Sequence, residues 1–409
     1  MNFETSKFVF LFGAILMSFS NAQVIAEDWK QFRGNLTNSV ANDANLPTEL
    51  SGDSIAWKVD LPGRGVSSPI VVAEQVILTA SSGYADDRLH VLSFDSETGE
   101  RQWERQFQAT GRTVCHPKMS VATPTCASDG KRVFAFFSSN DLICLDRAGN
   151  LQWYRGLGAE YPNASNSLGM SSSLLVIGST VIAQVESDAE AFAIGVDAAT
   201  GETKWKIDRP RKANWTSPTI LPSVNGSPPL ALLQSSAGLT AVDPETGDVV
   251  WDFQEEALTT PSSSVVDHQI VIPAKGLTVL TLNDDRLGFE TAWQESKLSP
   301  ATSSPVVMNG MTFTVNRTGA LAAGDLETGK RLWQFRLKGP LSGTPLADNG
   351  HLFFFSEKGI VSVVKPTEQK GQLVSEWDLA DTILSSPAAA NGALYIRSDS
   401  TLWKFQKGF

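Results

Sequence analysis

The chain is short of the residues that carry most chemistry. It holds three cysteines and four histidines in 409 residues. The cysteines, Cys115, Cys126 and Cys144, are nowhere adjacent, and no C-x-x-C-H occurs, which excludes covalent haem. The histidines, His90, His116, His268 and His351, make no metal-ligand spacing with one another. G-x-S-x-G and H-E-x-x-H are both missing, so those hydrolase and metalloprotease patterns are excluded. Basic charge is scarce: Lys and Arg number 33 against 44 Asp and Glu, for a net charge of −11. Such a chain repels a phosphate backbone, and no nucleic-acid partner is expected. Beyond the first residues no apolar run approaches the length of a membrane span, so no transmembrane segment is expected in the mature chain. No helical period appears.

The amino terminus has a different character. After MNFETSK comes FVFLFGAILMSF (8–19), too short to span a bilayer comfortably and followed by small residues. This is the pattern of an export signal, residues 1–26, cleaved after Ala22 or Ala26. No Cys stands at the junction, so the chain is read as periplasmic or secreted and not as a lipoprotein. An odd cysteine count leaves at least one thiol unpaired in an exported chain. Cys126 and Cys144 fall in strand-like segments; a Cys115–Cys126 bridge stays open.

What the chain has in abundance is repetition. FDSETGERQW (94–103), LDRAGNLQW (145–153), VDAATGETKW (196–205), VDPETGDVVW (242–251) and GDLETGKRLW (324–333) are one phrase written five times. Weaker copies end at Trp293 and Trp377. Each reads as a β-hairpin: a strand ends at Asp, Asp and Gly turn the chain, and a second strand carries the Trp. GDLETGKR resembles a phosphate loop, but Arg331 stands where a hydroxyl is needed and no helix follows. A second hairpin precedes each copy, opening with small residues and Pro: SSPIVV at 67, ATPTCAS at 122, then others at 171, 216, 260, 303, 343 and 385. Small residues suit a crowded place where strands converge. Four strands per unit, with Trp57, Trp103, Trp153, Trp205, Trp251, Trp293, Trp333 and Trp377 spaced 40 to 52 apart, predict an all-β propeller. The last unit lacks a fourth strand, and SIAWKVDL (54–61) supplies one from the other end. The expectation is eight blades over 54–409, with 27–53 as a leading segment and seven blades as the alternative. The eight indoles are expected to dock each blade on the next.

These repeats resemble the pyrrolo-quinoline quinone (PQQ) repeat with its tryptophan-docking motif, shared by quinoprotein dehydrogenases and the outer-membrane assembly factor BamB. WKQFRGN (29–35) is similar to the leading segment of secreted bacterial PQQ-like propellers. With the family's distinctive chemistry missing, an exported bacterial scaffold is expected, monomeric and binding an envelope protein or a polar or anionic ligand. The resemblance implies an alternative, a PQQ-dependent oxidoreductase with PQQ and calcium. The sequence lacks the adjacent cysteine pair of the alcohol-oxidising relatives, and no position matches their calcium ligands or catalytic Asp. No catalytic residue, metal or cofactor is therefore expected. The five N-glycosylation sequons, at Asn35, Asn163, Asn214, Asn225 and Asn316, are expected bare in a bacterial setting.

Two connections are long, roughly 106–120 and 155–170, a third at 207–215 is intermediate and strongly basic, and the hairpin order puts all three on one face of adjacent blades. They carry Arg112, His116, Lys118, Arg155, Tyr161, Asn163, Asn166, Arg209, Arg211, Lys212, Asn214 and Trp215, a cationic sector on an acidic protein. This is the candidate binding face. Cys115, His116 and Met119 are soft-ligand types, but three such residues in a polar loop read as surface and not as a copper site. Asp86-Asp87 and Asp284-Asp285 read as solvated turn caps.

Overall fold

Strands joined by tight turns account for nearly all of the regular structure; the inner three of each sheet are largely buried along their length, and outer strands such as Thr203–Asp208 alternate. The computed structural model describes Met1 and residues 28–41, 44–224 and 226–407. The export signal with its cleavage points, and sequon residue Asn225, lie outside the described residues. Eight four-stranded antiparallel sheets are arranged as a ring, one of them with an additional strand. In blade 1 the strands run Ile70–Val72, Gln75–Ser82, Arg88–Asp95 and Arg101–Gln108, named A to D from the axis outward. The inner strands of successive blades lie side by side, and that of blade 1 meets that of blade 8. Blade 8 is composite: Ala388–Ala390, Ala393–Arg397 and Thr401–Gln406 from the carboxyl end, with Ile55–Asp60 as its outer strand. Closing the ring in this way leaves no inner sheet edge to pair elsewhere.

The hydrophobic core lies in the seams. One cluster joins Ile70, Ile77, Val91 and Trp103 of blade 1 to Val133, Phe137 and Ile143 of blade 2. In each blade the C–D ladder carries one extra residue on strand D. In seven blades that residue immediately precedes the Trp, as Lys204 precedes Trp205, where Gly195 pairs with Trp205 and Val196 with Thr203. A bulge re-aims the following side chain, and here it turns the indole onto the next blade. Each of these seven rings donates its Nε1–H to a backbone carbonyl in the neighbour's C–D turn: Trp57 to Ser96, Trp103 to Arg147, Trp153 to Ala198, Trp205 to Pro244, Trp251 to Arg286, Trp293 to Leu326 and Trp333 to Thr367, at 2.7–3.2 Å. At five of these seams the turn glycine lies under the ring. A Cβ on Gly201 would come 2.6 Å from Trp153, and its φ is +74°.

Trp377 differs from the expectation. In blade 7 the extra residue is Val374, so Ser375 occupies the docking position, opposite Val363. Ser375 donates from Oγ to the Thr48 carbonyl at 2.6 Å. Trp377 lies two residues further on, half-buried, edge-on to Phe405 of blade 8. The reason is topological. Blade 8 takes its D strand from the other end of the chain, so it offers no C–D turn to receive an indole. The segment around Leu46 and Leu50 packs at this seam instead.

The leading segment also closes one end of the axis. Trp29 bridges to Val71 of blade 1, the Lys30 carbonyl accepts from Ser128 of blade 2, and Gln31 accepts from the Val176 amide of blade 3. The Thr37 hydroxyl accepts from Ile220 of blade 4. Arg33, 1% exposed, donates to the carbonyls of Ser263 (2.7 Å) and Pro305 (3.3 Å) in blades 5 and 6. Val40–Ala41 adds a parallel fifth strand beside Leu346–Asp348 of blade 7. Within the leading segment, residues 28–41 form a plug that ties seven inner strands together.

Two predictions follow the seam geometry. Trp205→Ala removes a buried indole and opens a cavity, so it should lower unfolding free energy by about 3–5 kcal/mol in a urea titration. Trp377→Ala should cost less than half of that. The turn aspartates give a pH signature. The Thr98 amide holds the Asp95 carboxyl below the usual carboxylate range, the Asn150 side chain holds Asp146 there, and Thr328 holds Asp325. A depressed folded pKa contributes stability above the unfolded value, near 4, which is lost as pH falls through the folded value. A triple Asp→Asn variant at these positions should therefore be less stable than wild type at pH 7. The gap should close on acidification below about pH 4, followed by urea midpoints across the range.

Candidate functional site

The opening residues of the inner strands meet at the axis. Each blade places one Ser or Thr there, and its backbone N–H donates to the hydroxyl of the next. The bonds run Ser68 to Thr125, Ser173, Ser217, Ser262, Ser304, Thr344, Ser386 and back to Ser68, at 2.8–3.2 Å. This ring lines an axial cavity of about 120 Å³. Phe32 of the plug forms its floor, and Val66, Trp215 and Leu384 stand among its walls. Among the described residues no Asp, Glu, Lys or Arg lines it. The cavity faces the side of the ring that carries the D–A connections.

Loop 109–120 reaches from blade 2 toward blade 7 on that side. Arg64 holds it by donating to the carbonyls of Met119 (2.8 Å) and Pro117 (2.7 Å), and pairs with Asp399 at 3.3 Å. Lys118 pairs with Glu357 of blade 7 at 2.8 Å, and Glu357 also accepts from Ser342 at the cavity wall. The His116 amide donates to Leu168 of the next loop at 2.9 Å. Cys115 is half-buried, its Sγ near Ser138 Oγ at 3.4 Å, and burial pushes its thiol pKa up. All three cysteines are free, so Cys115 and Cys126 form no bridge. Among the described residues no group of three or more His, Cys, Asp or Glu is placed to hold a metal ion.

The sequence-derived residues separate into two sets. Arg112, His116, Lys118, Asn163, Arg211 and Lys212 are exposed, with the apolar Val114 and Leu168 exposed among them. The others have internal partners. Arg155 pairs with Glu160 and donates to the Gly201 carbonyl, a bond across the blade 2–3 seam. Tyr161 packs at a tilt against Phe192 with centroids 4.6 Å apart, beneath the Lys206 ammonium. Asn166 is buried and accepts from the Leu168 amide. Arg209 pairs with Glu186 at 2.9 Å while Asn214 donates to the other Glu186 oxygen; both lie inside the protein. Trp215 donates to the Gly169 carbonyl, linking the second and third loops. Sequence reasoning missed the hydroxyl ring, Arg33, Arg64 and Glu357. A signal for the ring existed: all eight inner-strand openings carry Ser or Thr at the same place. Arg64→Ala should free loop 109–120. Two charge-assisted bonds lost should raise amide exchange at His116–Met119 by at least about tenfold, read by hydrogen-exchange mass spectrometry.

Comparison with known proteins places this geometry. The family model described as "Outer membrane protein assembly factor BamB" matches residues 39–189, 169–271 and 277–374. No curated protein sequence matches. Among solved structures, BamB from Moraxella catarrhalis superposes with a TM-score of 0.61 at 18% identity, over 86% of this chain and 97% of its own. Quinohemoprotein alcohol dehydrogenase from Comamonas testosteroni gives 0.71 at 15%, over 93% and 81%. The computationally designed Ika8 protein gives 0.60 at 11%, over 85% and 98%. Identities this low speak for the fold alone.

Proposed function

The chain belongs to the PQQ-repeat β-propeller family of the BamB model, and from that membership we propose that it is a non-catalytic interaction scaffold of the bacterial cell envelope. The observation that carries this is the axial cavity. At about 120 Å³ it falls below the roughly 300 Å³ at which small-molecule pockets begin. A tricyclic quinone would have to displace the hydroxyl ring or loop 109–120. The donor set argues the same way, because hydroxyls line the cavity and no carboxylate is there to hold calcium. PQQ and calcium therefore do not fit these residues. The alternative of a PQQ-dependent oxidoreductase has only the shared ring in its favour.

The docking face in this proposal is the D–A side of blades 2 to 4. Two hydrogen bonds couple its three loops, His116 to Leu168 and Trp215 to Gly169, so the face is one surface on a rigid support. Arg112, His116, Arg211 and Lys212 are exposed on these coupled loops, as are Val114 and Leu168. That mixture suits an acidic, partly apolar segment of an envelope protein: charge steers the encounter and the apolar pair anchors it. Export through the amino-terminal signal would bring the chain to such a partner.

The test places a photo-crosslinking residue at Val114 or Leu168 in cells. A discrete adduct with an envelope protein is expected. Its yield should drop at least about tenfold in Arg112→Glu/Arg211→Glu, as two reversed charges at an interface cost several kcal/mol. Retention of added PQQ after gel filtration with calcium, together with dye reduction by alcohols, would decide for the oxidoreductase.

A further inference from the structure

We propose that the axial cavity binds a small inorganic anion, a halide or a tetrahedral oxyanion, held by hydroxyl hydrogens from around the ring. The site lies inside the propeller and is independent of the docking face. Each of the eight ring residues is only 2–6% exposed. Each hydroxyl accepts the neighbouring amide, and none donates to another described residue. A hydroxyl has one hydrogen to give, and a buried donor without an acceptor costs about 1–3 kcal/mol. Eight such donors surround one cavity of about 120 Å³. That is room for a few waters or one anion with its neighbours.

Charge selects the anion. Two buried guanidiniums flank the ring, at 1% and 0% exposure. Arg33 donates to the carbonyls of Ser263 and Pro305, next in sequence to ring residues Ser262 and Ser304. Arg397 donates to the carbonyl and hydroxyl of Ser67, next to Ser68. Each has only carbonyl and hydroxyl partners, and Nη2 of Arg397 has none among the described residues. Burial depresses both groups to about 9. A cation on the axis would face two buried positive charges, with only the Asp399 carboxylate near Arg397 to offset them, in a medium that screens them poorly. An anion offsets them and accepts the free hydroxyl hydrogens together; water does only the second.

Crystals of the full chain soaked in bromide, and separately in selenate, test this by anomalous scattering. A bromine or selenium peak is expected on the axis within hydrogen-bond reach of the ring hydroxyls. Bromide alone assigns a halide, and selenate alone an oxyanion. In solution, replacing the bound anion's sodium salt by gluconate at fixed ionic strength should lower the unfolding midpoint of wild type. Ser217→Ala/Ser304→Ala should lose that response. Water alone on the axis in both soaks, or a response that the double variant keeps in full, overturns the proposal.

Discussion

An indole laid on a glycine, across the gap between two sheets, is the contact on which this molecule depends. A four-stranded blade has two faces and cannot bury both by itself. The indole covers a large apolar area, and its N–H needs an acceptor once buried. Both needs are met by one turn of the neighbour. The glycine admits the ring face, and a carbonyl of the same turn takes the N–H, as Gly201 and Ala198 do for Trp153. Fixing a plane and an edge together leaves little freedom in how one blade sits on the next. The recurring phrase is thus one contact divided between two blades, with Trp the donor half and Asp-to-Gly the receiving half.

The same logic explains the one seam that departs from it. Ring closure by an amino-terminal strand removes the receiving half from blade 8. A docking indole there would have no glycine beneath it and no carbonyl at its edge. Ser375 stands in its place and ties to Thr48, while Leu46 and Leu50 supply the apolar cover. The chain that solves this seam has already crossed under the inner strands of the other blades. Residues 28–60 therefore touch every blade, seven through the plug and the eighth through an outer strand. Arg33 shows how firmly the plug is specified: it stands at φ +65° with its guanidinium fully enclosed.

The ring was legible because its determinants are local and repeated. Asp, Gly and Trp at fixed offsets define a hairpin, and seven such repeats with an amino-terminal strand to complete the eighth blade define a propeller. Trp377 misled for the same reason: the spacing from Trp333 fits the period, while the bulge that decides register lies at Val374, and a bulge of exposed residues leaves little trace in composition. The site was less legible because polarity alone does not say whether a group is spent. Arg209 and Arg211 look alike in sequence. Glu186, 23 residues earlier on the second strand of blade 3, takes the first into the interior and leaves the second outside. Arg155 is likewise bound to a carbonyl of the next blade. The plug had no repeat to betray it, since its partners are carbonyls and amides scattered over seven strands.

Symmetry bears on function as well as on folding. Eight blades present nearly the same hydroxyl to the axis, so the axis by itself distinguishes charge and size but not shape. Recognition of a particular partner needs side chains that differ from blade to blade. Such differences are cheap where the repeat imposes no seam contact, and the D–A connections meet that condition. Blades 2 to 4 lengthen them, and Arg64, Glu357 and Trp215 then hold the lengthened loops in place. A sector stiffened by residues from blades 4 and 7 and from the blade 8–1 connection can carry exposed charge and apolar groups in a fixed arrangement. That is a requirement for selective docking and would be superfluous in a connection that merely joined two strands.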